Sequence, residues 1–225
     1  MLCAVSGPSS TGKTTAVQQL AELIPHCKVV HLDDYYLTDS AIPIDEKSGY
    51  ANWDCAEAID WHRLKRDLTA ISNAARAPTN ATESIEPQTN SGFSELQVQD
   101  LKDRIEQKGI DNITFIEGFL LFTGDEELEK HFQRKLFVYG SYDVLKQRRA
   151  NRVYVTAEGE WTDPPDYFDA IVWPEYVRNY KSLFTDPPDC RDFNKAAASA
   201  RGIRGFDSSA ASTFDLTLWI IDQIA

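Results

Sequence analysis

The sequence predicts an α/β protein in which a doubly wound parallel sheet is flanked by helices. Short apolar runs alternate along the chain with stretches whose apolar residues recur at helical spacing. The first apolar run also leads directly into a glycine-rich loop that opens a helix. Alternation of this kind is typical of parallel sheets whose strands are joined by crossover helices. The 225 residues suit one domain covering residues 1–225.

The first predicted unit is a strand, a loop and a helix. Residues 2–5 are apolar, residues 7–15 read GPSSTGKTT, and apolar residues then recur at helical spacing from Lys13 until Pro25. Residues 28–32 predict a second buried strand that ends at the acidic pair Asp33 and Asp34. Carboxylates at the carboxyl end of a strand lie where open α/β sheets bind their ligands.

A second strong helix is predicted over residues 54–75. Its apolar residues form one face, and Asp54 with Glu57 fits a capping box at its start. Residues 78–92 are polar and rich in Pro, Ser and Asn, so we expect a mobile insertion there. Leu101 and Ile105 indicate a short helix after this segment.

The second half of the chain continues the alternation. We expect strands at residues 113–116 and 135–140, an arginine-rich helix at 142–152 and a closing helix at 214–224 that packs on the sheet. Residues 186–205 are expected to be an irregular loop insertion. We assign residues 145–176 to a lid and substrate-capping segment.

Composition excludes several classes of partner. The formal net charge is −12 and the basic residues form no long stripe, which argues against nucleic acid and favours a small or cationic partner. The longest apolar run, residues 119–122, is far shorter than a membrane span. The four cysteines lie singly, without metal-ligand spacing. We therefore expect a soluble cytoplasmic protein, monomeric by default.

The glycine-rich loop matches the phosphate-binding pattern GxxxxGK[ST] through Gly7, Gly12, Lys13 and Thr14. Its backbone amides and the helix N-terminus would cradle phosphate oxygens, and the Thr14 hydroxyl would bind Mg²⁺. The alternative is a chance glycine-rich turn, which the strand before it and the helix after it disfavour. The predicted nucleotide-binding residues of the loop are Gly7, Ser9, Ser10, Thr11, Gly12, Lys13, Thr14 and Thr15.

Nucleotide binding alone would also suit a GTP switch or a motor ATPase. A switch needs a base-reading NKxD element, yet the pair Asn194-Lys195 is followed by Ala197 where the Asp would stand. Repeats or a long partner-binding domain, as expected for a motor, are also missing. Phosphoryl transfer is the interpretation that remains.

Two carboxylates support phosphoryl transfer. Asp33 could lie near both Mg²⁺ and an incoming hydroxyl and accept its proton, although Asp is also common in turns. Glu117 stands where a Walker-B carboxylate would hold Mg²⁺ directly or through water, although a helix-capping or surface Glu would fit the same position.

Three arginines on the helix after the fourth strand form the third element. Arg148 and Arg152 lie four residues apart on one helix face, and Arg149 and Arg152 lie three apart, so three guanidinium groups on one segment repel one another. Closing over a triphosphate would offset that repulsion, as an arginine finger does. The alternative is a solvated basic face.

The motifs together resemble the nicotinamide riboside kinases, within the uridine kinase-like group of P-loop kinases. The resemblance is carried by GPSSTGKTT, HLDDYY, NWDCAEAID, FIEGFLLF, KQRRANRVY and above all DPPDYFDAIVWPEY. It implies phosphorylation of the 5′-hydroxyl of nicotinamide riboside to the mononucleotide in NAD salvage, with ATP and Mg²⁺ as cofactors and GTP left open as the donor. A small riboside is thus the implied partner.

The resemblance also implies residue roles. Asp33 would be the general base, with Lys13 and Arg149 as further catalytic residues, and Thr14, Asp33 and Glu117 would hold Mg²⁺. The implied nucleotide contacts outside the loop are Arg148, Arg149 and Arg152. The implied substrate residues are Asp33, Tyr36, Trp53, Asp54, Arg148 and Tyr154.

These substrate residues suit a cationic riboside. Trp53 and Tyr154 would stack on the pyridinium ring, a contact that contributes about 2 kcal/mol when desolvated. Asp54 would accept hydrogen bonds from the ribose diol, and it could cap the second helix as well or instead. Tyr35 and Tyr36 depart from the family, whose members carry two Phe there.

Three interpretations therefore stand. A uridine or cytidine kinase shares the loop, the acidic strand end and the arginine lid, but a pyrimidine needs hydrogen-bond partners at its edge rather than stacking and negative charge. A nucleotide-binding regulatory module without catalysis is disfavoured because the predicted catalytic residues are intact. Residues 207–209 are our candidate for the adenine-contacting loop.

Overall fold

The computed structural model describes residues 1–74, 92–150, 154–156 and 159–225. Its main sheet has five parallel strands in the order β2-β3-β1-β4-β7. The described strands are β1 (Leu2–Ser6), β2 (Lys28–His31), β3 (Thr114–Gly118), β4 (Arg134–Tyr139), β5 (Tyr154–Thr156), β6 (Gly159–Trp161) and β7 (Ile203–Asp207). Strands β5 and β6 form a separate antiparallel pair.

Helices cover both faces of the sheet. They are α1 (Lys13–Leu23), α2 (Trp61–Ala74), α3 (Glu95–Gln107), α4 (Glu126–Glu129), α5 (Tyr142–Ala150), α6 (Trp173–Tyr180), α7 (Lys195–Ala200) and α8 (Thr213–Ile224). Because strand side chains alternate, Cys3 and Val5 of β1 pack with α1, α3 and α8. Leu2 and Ala4 face the opposite core, with α2, α6 and α7. The predicted doubly wound parallel sheet is confirmed.

The sheet brings three chain segments to one edge. Ser6 at the end of β1 pairs with Gly118 at the end of β3, and His31 at the end of β2 pairs with Glu117. The phosphate-binding loop, the turn after β2 and the start of the segment after β3 therefore lie side by side. This edge is where parallel α/β sheets place their sites.

The start of the second helix differs from the prediction. Helix α2 begins at Trp61, and Asp60 Oδ1 accepts a hydrogen bond from the backbone N–H of Arg63 at 2.9 Å, so Asp60 provides the cap. A short 3₁₀ turn, Ala56–Ala58, precedes it. The expected cap by Asp54 and Glu57 is wrong, because the chain turns between the two carboxylates and the helix.

Residues 186–205 are not a loop throughout, and that prediction is wrong. Helix α7 begins after Asn194, whose side chain accepts a hydrogen bond from Ala197 N at 3.0 Å. Strand β7 then forms one edge of the main sheet. Gly205 in that strand lies against the ring of Phe193, so this glycine allows a close contact within a strand.

Other expectations have mixed outcomes. Helices α3 and α8 are confirmed, whereas β2 is a half-exposed edge strand rather than a buried one. The expected insertion at residues 78–92 lies outside the described residues except for Gly92. Within the described ranges, we find no helix with the length and apolar character needed to cross a bilayer.

Candidate active site

The phosphate-binding loop depends on two glycines. Gly7 has φ of +142°, and a Cβ built there would lie 1.8 Å from the carbonyl oxygen of Val138 in β4. Gly12 has φ of +89° and precedes α1 without a side-chain cap. The first N–H groups of α1 therefore remain available for an anion.

Polar groups of the loop are buried in a way that fits a phosphate ligand. Lys13 is only 6% exposed, and its ammonium donates to the carbonyl oxygen of Pro8 at 2.8 Å and to Thr11 Oγ1 at 3.4 Å. Among the described residues, the buried Ser10 hydroxyl has no hydrogen-bond partner. A buried cation and an unsatisfied hydroxyl in one anion-binding loop are the groups that phosphate oxygens would satisfy.

Glu117 meets the loop at the end of β3. Its Oε1 accepts a hydrogen bond from Thr14 Oγ1 at 3.1 Å and lies 2.8 Å from His31 Nδ1. Burial alone would raise the pKa of Glu117, but the His31 hydrogen bond and the charge of Lys13 outweigh it and lower that pKa. Since the carboxylate is ionised and can only accept, His31 Nδ1 is the donor.

This arrangement fits Mg²⁺. A hydroxyl and an ionised carboxylate are hard oxygen donors, and they lie together beside the phosphate-binding loop. Over the ranges that the structure describes, no three His, Cys, Asp or Glu side chains form a metal cluster. Phosphate oxygens and water would thus complete the coordination, as is usual for Mg²⁺ at nucleotide sites.

Asp33 lies on the 3₁₀ turn Leu32–Tyr35 that follows β2, and it is exposed. Its charge raises the pKa of both Tyr36 and Asp54, although burial is the larger cause for each. Asp33 is therefore at the edge of the sheet and faces the side of the site where Tyr36 and Asp54 lie.

An aromatic wall stands next to Asp33. The ring of Tyr36 meets Trp53 edge-on with centroids 5.2 Å apart, and it stacks on Phe119 at 6.0 Å. The pKa of the Tyr36 phenol is raised well above its ordinary value, first by burial, so the hydroxyl stays protonated. Phe119 belongs to this wall although no sequence pattern had singled it out.

Asp54 is a buried carboxylate in a charged cluster. It is 12% exposed and lies 3.8 Å from Arg149 NH1, while the guanidinium of Arg149 makes hydrogen bonds of 2.5 and 3.2 Å to both oxygens of Asp163. Burial raises the pKa of Asp54 to about 6, with Arg149 opposing this and neighbouring carboxylates adding to it. The cluster carries more negative than positive charge.

The backbone around Asp54 is held by side chains from the capping segment. The Tyr167 hydroxyl donates to Ala51 O at 3.0 Å and accepts from Trp53 N at 3.2 Å. Asn52 accepts from Asp54 N at 3.1 Å and donates to Glu175 Oε1 at 2.8 Å. We did not anticipate Asn52, Asp163, Tyr167 or Glu175, although three of them lie in the motif DPPDYFDAIVWPEY.

One pocket connects the two halves of the site. It runs from the phosphate-binding loop to Asp54 and is lined by Pro8, Ser9, Asp54, Phe119, Leu120, Val172 and Tyr176. Thr15 is exposed on the first turn of α1, away from this lining.

The arginines of α5 diverge. Arg148 donates to the carbonyl oxygen of Ser208 at 3.0 Å, whereas Arg149 lies buried against Asp163 and Asp54. Adjacent helical residues point about 100° apart, so the two guanidinium groups lie in different surroundings. The predicted shared faces, Arg148 with Arg152 and Arg149 with Arg152, both involve Arg152. Arg152 and the side chain of Tyr154 lie outside the described part of the chain.

A parallel sheet with a phosphate-binding loop, a Thr14–Glu117 pair beside it and a pocket that runs from the loop to Asp54 is the arrangement of a P-loop kinase. Comparison with known proteins narrows this class. The chain is 32% identical to the nicotinamide riboside kinase of Schizosaccharomyces pombe over 100% of this chain and 96% of the relative. The nicotinamide riboside kinase of Saccharomyces cerevisiae is 33% identical over 83% of this chain and 80% of the relative.

Mammalian relatives agree, since human nicotinamide riboside kinase 1 is 30% identical over 77% of this chain and 73% of its own length. No protein-family model matches the chain. With these identities over most of both sequences, the chain belongs to the nicotinamide riboside kinase family.

Proposed function

We propose that this kinase transfers the terminal phosphate of ATP to the 5′-hydroxyl of nicotinamide riboside and forms nicotinamide mononucleotide for NAD salvage. The observation that carries the proposal is the shared pocket, in which the buried carboxylate of Asp54 and the Phe119 side of the aromatic wall open onto the phosphate-binding loop. The names of the relatives support the same substrate.

The acceptor side suits a cationic riboside. The charges of Asp33, Asp163 and Glu175 all act on the carboxylate of Asp54, and that of Arg149 opposes them. Arg178 pairs with Glu175 at the edge of this group, so carboxylates still outnumber cations. Trp53 and Tyr36 offer aromatic faces for a pyridinium, with Tyr154 as the opposing ring, and Asp54 would accept hydrogen bonds from the ribose diol. An excess of carboxylate favours a positive ring over a neutral pyrimidine.

On the donor side, Lys13 and the loop amides would bind the phosphate oxygens, and Thr14 and Glu117 would hold Mg²⁺ together with Asp33. When bound, Mg²⁺ neutralises phosphate charge and orients the transferred group. Arg148, fixed to Ser208, stands beside residues 207–209, which we propose as the adenine contact. We assign Arg149 to the acceptor side because it lies beside Asp54.

The reaction follows from these positions. The 5′-oxygen forms a bond to the terminal phosphorus while the bond from that phosphorus to the bridging oxygen of ADP breaks. The hydroxyl proton passes to Asp33, which is exposed at the mouth of the site and can release it to water. Lys13 stabilises the charge that develops on the phosphoryl oxygens.

A coupled assay with nicotinamide riboside, uridine and cytidine, each with ATP and with GTP, tests the proposal. We expect turnover of nicotinamide riboside with ATP and formation of the mononucleotide. Turnover of uridine or cytidine alone would contradict it. Asp33→Asn should keep ATP binding and lose at least about 100-fold in kcat, since a general base contributes about 10²- to 10⁴-fold.

A further inference from the structure

The acceptor carboxylate Asp54 lies on a segment without regular secondary structure. Residues 52–55 are turn and coil between an isolated bridge at Ala51 and the 3₁₀ turn Ala56–Ala58. Such a segment has no hydrogen-bonded ladder to fix it. Its geometry therefore depends on the side chains that contact its backbone.

The carboxylate also lies where like charges oppose it. Asp33, Asp163 and Glu175 all disfavour ionised Asp54, and Arg149 is 3.8 Å away, beyond hydrogen-bond distance. A carboxylate in such surroundings moves towards water unless its backbone is held.

Asn52 holds that backbone in a way few side chains could. It is 8% exposed, its amide oxygen accepts from Asp54 N at 3.1 Å, and its amide nitrogen donates to Glu175 Oε1 at 2.8 Å. The two contacts need an acceptor and a donor on one short side chain, which Asp and Ala lack and Gln offers only one methylene further out. The second oxygen of Glu175 lies 2.8 Å from Arg178 on the same helix.

We propose that Asn52 and Glu175 are positioning residues, a clamp that fixes Asp54 and the adjoining Trp53 to helix α6 for binding of the riboside acceptor. The inference rests on the proposed function, since it concerns the same acceptor site. The clamp acts through the backbone of Asp54 and leaves the phosphate-binding loop untouched, so its loss affects one substrate only.

Steady-state kinetics of matched variants test the clamp. Asn52→Ala and Glu175→Ala should each raise the KM for riboside by about tenfold and leave the KM for ATP within about twofold, because each leaves a buried hydrogen-bonding group unsatisfied. Glu175→Gln should keep the riboside KM close to that of the wild type, because its amide oxygen accepts the same hydrogen bond from Asn52. It also removes the anionic partner of Arg178, but that side chain is 54% exposed and can turn to water. The double variant Asn52→Ala/Glu175→Ala should match either single one rather than their sum.

Asn179→Ala is the control. Asn179 lies on the same helix and donates to the backbone of Glu175 at 2.8 Å without reaching the acceptor loop, so both KM values should stay unchanged. Equal rises in the two KM values would overturn the clamp, as would an unchanged riboside KM in Asn52→Ala. If Glu175→Gln raised the KM for riboside as much as Glu175→Ala, the effect would come from the charge of Glu175, and this would also overturn the clamp.

Two further comparisons distinguish loss of the clamp from misfolding and from failure of the proposed function. If Asn52→Ala does not fold by circular dichroism, the comparison of Glu175→Gln with Glu175→Ala decides. If the wild type phosphorylates uridine instead of nicotinamide riboside, the proposed function fails and the variants are compared with uridine.

Discussion

At the scale of single residues, position 7 admits only glycine. A methyl group there would lie 1.8 Å from the Val138 carbonyl oxygen, which belongs to β4 and cannot move without the sheet. We expect Gly7→Ala to lower the free energy of unfolding by about 1–3 kcal/mol or more and to abolish ATP binding. Urea unfolding and calorimetric titration with ATP measure the two effects.

Gly109→Ala is the matched control for that substitution. Gly109 also has a positive φ, +62°, but a Cβ built there would meet no atom within 4 Å. It should show the cost of the left-handed backbone, about 1 kcal/mol, with ATP affinity unchanged. Normal ATP affinity in Gly7→Ala would show that the close contact with β4 does not shape the loop.

Asp54 gives a pH-dependent prediction. Its pKa rises from 3.8 to about 6 on folding, so between these values the folded chain binds the proton more tightly and stability falls as pH rises. Asp54→Asn imitates the protonated form and should stabilise the fold above pH 6 by at most about 3 kcal/mol. Below about pH 4 the difference from wild type should vanish.

Urea unfolding at pH 4 and pH 7.5 checks this, and equal stability of the two proteins at pH 7.5 would contradict it. The same substitution should raise the KM for riboside much more than the KM for ATP, since the diol loses its charged acceptor. Stability and function thus oppose each other at this residue, as is common in binding sites.

At the scale of elements, the pair Arg149 and Asp163 joins α5 to the stretch of chain that leads into α6. Arg149 is 7% exposed and makes two hydrogen bonds to Asp163. Asp163→Ala should destabilise the fold by about 3 kcal/mol because it leaves a buried guanidinium poorly paired. The double variant Asp163→Ala/Arg149→Met should recover much of the stability and none of the activity.

Thermal unfolding and the riboside assay separate these outcomes. The exposed pair Lys130 and Glu127 is the control, since Glu127→Ala removes a surface partner and should change stability by less than about 1 kcal/mol. If Asp163→Ala were as stable and as active as the wild type, the pair Arg149 and Asp163 would not hold the two elements together.

Elements with a strong period were predictable from the sequence, and those fixed by long-range contacts were not. Helices α1, α3 and α8 carry apolar residues at helical spacing, so their faces are visible without a partner. Strand β7 reads Ile-Arg-Gly-Phe-Asp, and only its pairing with β4 makes it a strand. Local patterns report amphipathic faces, whereas an edge strand depends on its neighbour.

The residues of the site divide in the same way, into those that a local sequence pattern predicts and those that long-range contacts bring together. The phosphate-binding loop and Thr14 follow from a contiguous motif and its predicted context, and Glu117 follows from its place on a predicted strand. Asn52 and Glu175 lie far apart in sequence and meet only because α6 packs over the acceptor loop. The motif that contains Glu175 carried the family resemblance, yet nothing in its spacing reveals that partner.

At the scale of the whole molecule, ligand binding should stabilise the fold. ATP with Mg²⁺ at about 100 times its Kd adds about 2.7 kcal/mol, which for a chain of this size raises Tm by roughly 5–10 °C. Glu117→Gln should show a smaller rise, because a neutral amide holds Mg²⁺ poorly. Scanning fluorimetry with ATP plus Mg²⁺, and with Mg²⁺ alone as control, measures the shift.

An identical Tm rise in Glu117→Gln would remove this carboxylate from the metal site. A rise with Mg²⁺ alone would indicate a metal site that does not need the nucleotide.

The order of the strands also determines when the chain can fold during synthesis. Strand β1 is buried along its whole length at the centre of the sheet, and its two neighbours are β3 and β4. Leu2 can therefore pair only after Thr114 has been synthesised, and Cys3 can pair with β4 only after Arg134. The ribosome must therefore release more than half of the protein before the first strand gains a neighbouring strand. Until then its apolar residues are exposed, as expected for folds rich in contacts between distant residues, and nascent chains stalled before β3 should be the species that chaperones bind.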